Sequence, residues 1–133
     1  MSTPTENTLW AAVLDAAEFR WSTGEYTKAE ELFRHAIALA EEALSCDHPE
    51  VIIAYMSLAD FMCERQRFGE AETIYRFCLK LIARQCGSDG LLFALALRNL
   101  GEILTLENQD KDAILLRQRA NQVLKACQII FSA

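Results

Sequence analysis

A chain of 133 residues, 52% apolar and 24% charged, has the composition of one folded domain; disordered and low-complexity classes are excluded, and two domains of ordinary size would not fit. A net charge of −6 argues against a sequence-independent grip on nucleic-acid phosphates, which needs clustered Lys and Arg. No apolar run approaches the about 20 residues that span a bilayer, the start lacks a secretory-signal layout, and the 5 cysteines show no CxxC spacing, so a cytoplasmic protein with reduced thiols and no membrane contact is expected.

After a polar start, Met1 to Thr8, apolar residues recur at intervals of three and four, which predicts a helix over 7–23. Leu9, Val13, Ala16, Ala17 and Arg20 mark one of its faces, and Trp10, Leu14 and Trp21 an adjacent one. Ser22-Thr23-Gly24 stops it, the glycine being suited to a left-handed cap. A second helix, 26–44, carries a single stripe of Tyr26, Ala29, Phe33, Ala36, Ile37 and Ala40. In the connection Ser45–Glu50, Asp47 or His48 can cap a third helix, with Pro49 in its first turn and Glu50 on the favourable side of its dipole.

From there the chain repeats itself. Tyr26, Ala29, Glu30, Phe33, Arg34, Ala36 and Leu39 recur as Phe68, Ala71, Glu72, Tyr75, Arg76, Cys78 and Leu81, each 42 residues on. Ala17, Glu18 and Phe19 recur as Ala59, Asp60 and Phe61, and more loosely as Gly101, Glu102 and Ile103. Repeating the reading places helices at 49–65, 68–85, 89–107 and 110–130. Ala17, Ala59 and Gly101 in the first helices, and Ala29, Ala71 and Ala113 in the second, let paired backbones approach closely. Glu30 with Arg34 and Glu72 with Arg76 are i,i+4 pairs worth about 0.2–0.5 kcal/mol each.

Gly24-Glu25-Tyr26, Ala29-Glu30-x-x-Phe33-Arg34-x-Ala36, Asp47-His48-Pro49-Glu50 and Arg67-Phe68-x-x-Ala71-Glu72-x-x-Tyr75-Arg76 together resemble the tetratricopeptide repeat family, in the 42-residue form of kinesin light chains and many bacterial proteins. The resemblance covers about residues 8–127 and implies an all-α, right-handed solenoid of three helical hairpins, six antiparallel helices in a single domain 1–133, with repeats at about 8–46, 47–88 and 89–130. Gln66 stands where the first repeat has Gly24, and Asp110 and Arg117 where it has Tyr26 and Phe33, which fits a polar end to the stack. In this family the first helix of each hairpin lines a concave groove for extended peptides or short helices. The matching positions are Leu14, Glu18, Trp21 and Ser22, then Ile53, Met56, Asp60, Cys63 and Glu64, then Leu95, Arg98, Glu102 and Thr105. Members that capture a terminal carboxylate use Lys, Arg and Asn there; with Leu14 and Glu18 in their place, no carboxylate clamp is expected.

Glu18, Asp60 and Glu102 form an acidic ladder at the repeat spacing, read either as a rail for Lys and Arg of a partner or as an ordinary solvated face, with Arg98 available to neutralise Glu102. Trp21, Ile53 and Met56 are read as apolar anchors or as core between repeats. Cys46, Asp47 and His48 are too few and too poor a set to hold a metal, and no phosphate loop, catalytic pair or nucleotide fingerprint occurs. The expected function is therefore non-catalytic, without cofactor: capture of a protein or peptide segment with basic and apolar side chains on Leu14, Glu18, Trp21, Ile53, Met56, Asp60, Glu64, Arg98 and Glu102. The competing reading is a self-assembling scaffold. Ile114, Leu115 and Leu116, then Val123, Leu124, Ile129, Ile130 and Phe131, are more apolar than a terminal helix needs, so a homodimer through residues 114–131 is expected, with Ile129, Ile130 and Phe131 at its centre.

Overall fold

The 42-residue period is also a period of backbone geometry. In the computed structural model, which describes the backbone of residues 6–45, 48–85, 87 and 90–132 and the side chains among them from 8 to 127, Gly24, Gln66 and Asn108 all have positive φ, at 84°, 62° and 64°. Each closes a helix in the same way. The N–H groups of Gly24, Gln66 and Asn108 donate to the carbonyls of Trp21, Cys63 and Thr105 at 3.0–3.1 Å, and the next N–H groups, of Glu25, Arg67 and Gln109, reach back to Arg20, Met62 and Leu104 at 2.8–2.9 Å. This is the paired 5→2 and 6→1 arrangement of a Schellman motif, which satisfies carbonyls that the helix end leaves open. The carbonyls of Glu25, Arg67 and Gln109 then accept from Ala29, Ala71 and Ala113, starting the next helix at once.

The described residues hold six helices: α1 (Glu6–Ser22), α2 (Tyr26–Ala43), α3 (Pro49–Glu64), α4 (Phe68–Gln85), α5 (Leu91–Leu106) and α6 (Asp110–Ser132). All six match the sequence expectation in order and type. At the start of α3 the cap is His48, whose Nδ1 accepts the Glu50 N–H at 3.1 Å; Asp47 lies outside the described residues. Helix α5 begins two residues later than expected, because Gly90 takes an extended backbone at the cap position.

Two units, Met1–Phe61 and Met62–Ala133, are described in turn. In the first, Trp10 near the start of α1 and Val51 near the start of α3 share a cluster with Ala40 near the end of α2. At the other end of the same helices, Trp21 of α1 packs edge-on to Phe61 of α3 with ring centroids 5.6 Å apart, and Tyr26 at the start of α2 lies 6.5 Å from Phe61. Helices α1 and α3 therefore run parallel, with α2 antiparallel to both. Phe33 completes the ring cluster, 6.1 Å from Trp21 and 5.5 Å from Phe61. Ala17, Ala29, Ala36 and Ala40 are fully buried, and their size is what allows the rings to be enclosed.

In the second unit Tyr75 of α4 is fully buried and its hydroxyl accepts from Asn99 Nδ2 of α5 at 3.1 Å. Helices α5 and α6 meet closely at Gly101, where an added Cβ would stand 3.3 Å from Arg117 Cγ and 3.4 Å from the Ala113 carbonyl oxygen. Arg117 thus lays its stem over Gly101 and donates to Thr105 Oγ1 at 3.0 Å, filling with a polar residue the position that Phe33 and Tyr75 hold in the other hairpins.

The left-handed Gln66 is a testable departure from glycine. Gln66→Gly removes a Cβ from a conformation that disfavours it, and is expected to raise stability by about 0.5–1 kcal/mol after the larger chain entropy of glycine is counted. Urea unfolding of the two proteins measures this; an unchanged or lower midpoint would show that Gln66 is not strained.

Candidate partner-binding surface

The parallel arrangement of α1 and α3 decides what the repeat spacing means in the first unit. Residues 42 apart occupy the same phase on neighbouring parallel helices, so Glu18 and Asp60 lie on one face, and both are exposed. Ile53, 48% exposed, and Met56, half-buried, stand one to two turns before Asp60 on the same side of α3, and Glu64 follows one turn after it. Leu14 precedes Glu18 on α1, but it is half-buried against the Trp10–Ala40–Val51 cluster. Trp21 is likewise half-buried, its ring held between Phe33 and Phe61. Leu14 and Trp21 therefore support the floor of the face. Glu18, Ile53 and Asp60 supply its exposed chemistry, two carboxylates on neighbouring helices with an apolar side chain two turns before Asp60 on α3.

In the second unit, Arg98 and Glu102 are both exposed on α5 and do not pair with each other, so Arg98 does not neutralise Glu102 by an i,i+4 bridge. Leu91, 55% exposed, and Leu106, 56% exposed, extend the same side of the helix. Thr105, the position expected there by family resemblance, is not the outward one. Thr105 is half-buried, donating to the Gly101 carbonyl and accepting from Arg117, whereas Leu106, 42 residues after Glu64, is the position that faces out. The repeat itself carried that signal.

The surroundings shift the titration of Cys78, Glu25 and Glu107. Burial pushes the Cys78 thiol up to about 12, so it is protonated and unreactive at neutral pH. Arg20 donates to both oxygens of Glu25, at 3.0 and 2.8 Å, and together with Thr23 holds that exposed carboxyl below its ordinary range while tying the first hairpin turn. Glu107 moves the other way. One of its oxygens is shut off from solvent at the α5–α6 turn, and this desolvation, with the Glu72 carboxylate beside it, holds the Glu107 carboxyl above the usual range. Glu72 also pairs with Arg76 at 3.0 Å, as Glu30 does with Arg34 at 3.8 Å. Among the described residues no three His, Cys, Asp or Glu side chains converge as metal ligands; Cys46 and Asp47 lie outside them. No helix among them is long and apolar enough to cross a membrane.

Away from this face, Arg34, Ile37, Ala38, Glu41, Tyr55 and Leu58 line an open hollow of about 250 Å³ between α2 and α3, where the Tyr55 hydroxyl donates to Glu41. No sequence signal singled it out. On α6, Ile114 and Leu115 are 53% and 63% exposed, whereas the side chains of Ile129, Ile130 and Phe131 lie outside the described residues.

Comparison with known proteins agrees with the helical-repeat fold. The family model of the tetratricopeptide repeat matches residues 7–60 and 50–126. A search of curated proteins returned no match. Among solved structures, BtubC (BKLC) from P. vanneervenii superposes with a TM-score of 0.82 at 20% identity, over 95% of this chain and 50% of that one. The nearly identical TPR-like repeats of a Podosopora anserina protein assigned to the kinesin light chains, and a single-substitution variant of them, give TM-scores of 0.76 and 0.78, each at 16% identity over 91% of this chain and 57% of theirs. The chain spans about half the length of these structures, and at such identities the likeness is one of fold.

Proposed function

Because the chain belongs to the tetratricopeptide repeat family, whose members generally bind protein partners, we propose that it is a non-catalytic module that captures a partner segment carrying basic and apolar side chains. The observation that carries this reading is the exposure of Glu18 and Asp60 in one phase on the parallel helices α1 and α3, with Ile53 exposed two turns before Asp60. Two carboxylates spaced along one face select Lys or Arg at a matching interval, and Ile53 with the edges of Met56, Leu14 and Trp21 gives an apolar side chain somewhere to bury. Glu64, and Arg98 and Glu102 of the second unit, are assigned to partner binding by their repeat phase. Arg98 would then favour an acidic residue at its point of contact.

The test is Glu18→Lys, Asp60→Lys and Glu102→Lys in one protein, titrated by calorimetry with a segment mapped from a captured partner. Binding is expected to weaken at least tenfold and no longer to fall with added salt, because each reversal replaces an attraction of about 0.2–1 kcal/mol by a repulsion of similar size, which salt screens. The helical circular dichroism signal should be unchanged. Equal affinity in the triple variant would remove these carboxylates from the interface.

A self-assembling scaffold is the second reading, and it is favoured by the exposure of Ile114 and Leu115 on α6. Residues 114–131, with Ile129, Ile130 and Phe131, are its proposed contact.

A further inference from the structure

Helix α1 is apolar on two opposite faces. One, with Trp10 and Ala17, is buried in the first unit; the other, Leu9, Ala12, Ala16 and Phe19, is exposed, Leu9 at 43% and Phe19 at 61%. This second stripe is distinct from the Glu18 face proposed for partner segments. Its counterparts 42 residues on are Val51, Ala54, Leu58 and Phe61, all fully or almost fully buried in the same unit. Val51 and Phe61 are covered there by α1 and α2, through Trp10 and Ala40 at one end and Trp21, Tyr26 and Phe33 at the other. The exposed stripe is thus a helix-packing face of proven type with no helix on it among the described residues.

The stripe also states what fits it. Its spacing is three, four, three, and its sizes run large, small, small, large, so it reads the same in both directions along the helix. A face with that symmetry is complementary to itself across a two-fold axis: Leu9 meets Phe19 of a second copy, and Ala12 meets Ala16, where the absence of bulk lets the helices come within about 8 Å. The chain's last helix offers no such seat. Where α2 covers α3 with Tyr26, Phe33 and Ile37, α6 carries Asp110, Arg117 and Asn121, all exposed, which disfavours an open head-to-tail chain of copies. We infer that α1 forms an antiparallel, two-fold homodimer through Leu9, Ala12, Ala16 and Phe19. A single helix pair is a small interface, so the dimer is weak and concentration-dependent.

Sedimentation of the full chain from about 5 to about 500 micromolar spans the range in which so small an interface is half-formed. The expected result is a monomer–dimer equilibrium that weakens at least tenfold in Ala16→Glu, Phe19→Glu and is unchanged in Ile114→Asp, Leu115→Asp. A monomer throughout overturns the inference, as does a dimer that survives Ala16→Glu, Phe19→Glu; a dimer lost only in Ile114→Asp, Leu115→Asp places the contact on α6 instead. Should Ala16→Glu, Phe19→Glu fail to fold, mixing the single variants Ala12→Cys and Ala16→Cys decides. Antiparallel pairing predicts rapid disulfide cross-linking in the mixture well above that of either variant alone, and equal cross-linking in all three samples counts against it.

Discussion

Phe61→Ala is expected to lower the stability of the protein by about 3–5 kcal/mol. Phe61 is 1% exposed and is in ring contact with Trp21, Tyr26 and Phe33 together, at 5.6, 6.5 and 5.5 Å. Truncation removes the transfer energy of the ring, the edge-on contact with Trp21 and the atoms that fill the space between α1, α2 and α3. The surrounding alanines, Ala17, Ala29 and Ala36, have no side-chain reach with which to close the void. The control lies one repeat earlier. Phe19 occupies the same phase of α1 but is 61% exposed, so Phe19→Ala should change stability by no more than about 0.5 kcal/mol. Urea unfolding of both variants measures the contrast, and similar costs at the two positions would show that the ring cluster is not the core of the first unit.

Tyr75 permits the same argument in the second unit, with a polar component that can be separated. Tyr75→Ala is expected to cost about 3–5 kcal/mol, as a fully buried aromatic side chain with small neighbours such as Ala71. Tyr75→Phe keeps the ring and loses the hydroxyl that accepts from Asn99 Nδ2, which should cost about 0.5–1.5 kcal/mol. Phe33, its counterpart in the first hairpin, shows that the fold accepts a plain ring at this position. Denaturant midpoints resolve the two variants; a Tyr75→Phe loss as large as that of Tyr75→Ala would make the hydrogen bond, and not the packing, the dominant contribution.

The period of 42 was legible because it is written in residue size as well as in polarity. Ala17 with Ala59 and Gly101, and Ala29 with Ala71 and Ala113, are all buried, and size at those positions is a constraint of backbone approach that a single sequence displays three times over. Helix ends were legible for the same reason, since Gly24 announces its conformation. Gln66 and Asn108 do not; they take positive φ because the pairing of their neighbours' N–H groups back onto Met62 and Leu104 outweighs the cost of a side chain there.

Function was less legible, because which side of a helix is covered is a property of its neighbours. By itself the sequence determined the number, order and phase of the helices, the equivalence of Glu18, Asp60 and Glu102, and the apolar character of α1 on more than one face. Only the tertiary structure decided that Trp21 turns into the ring cluster, that Thr105 is held by Arg117 while Leu106 faces out, and that Leu9, Ala16 and Phe19 stay exposed where Val51, Leu58 and Phe61 are buried. Periodicity fixes a residue's angle around its own helix, but burial depends on whether a second helix lies along that angle, and that information is carried by residues elsewhere in the chain.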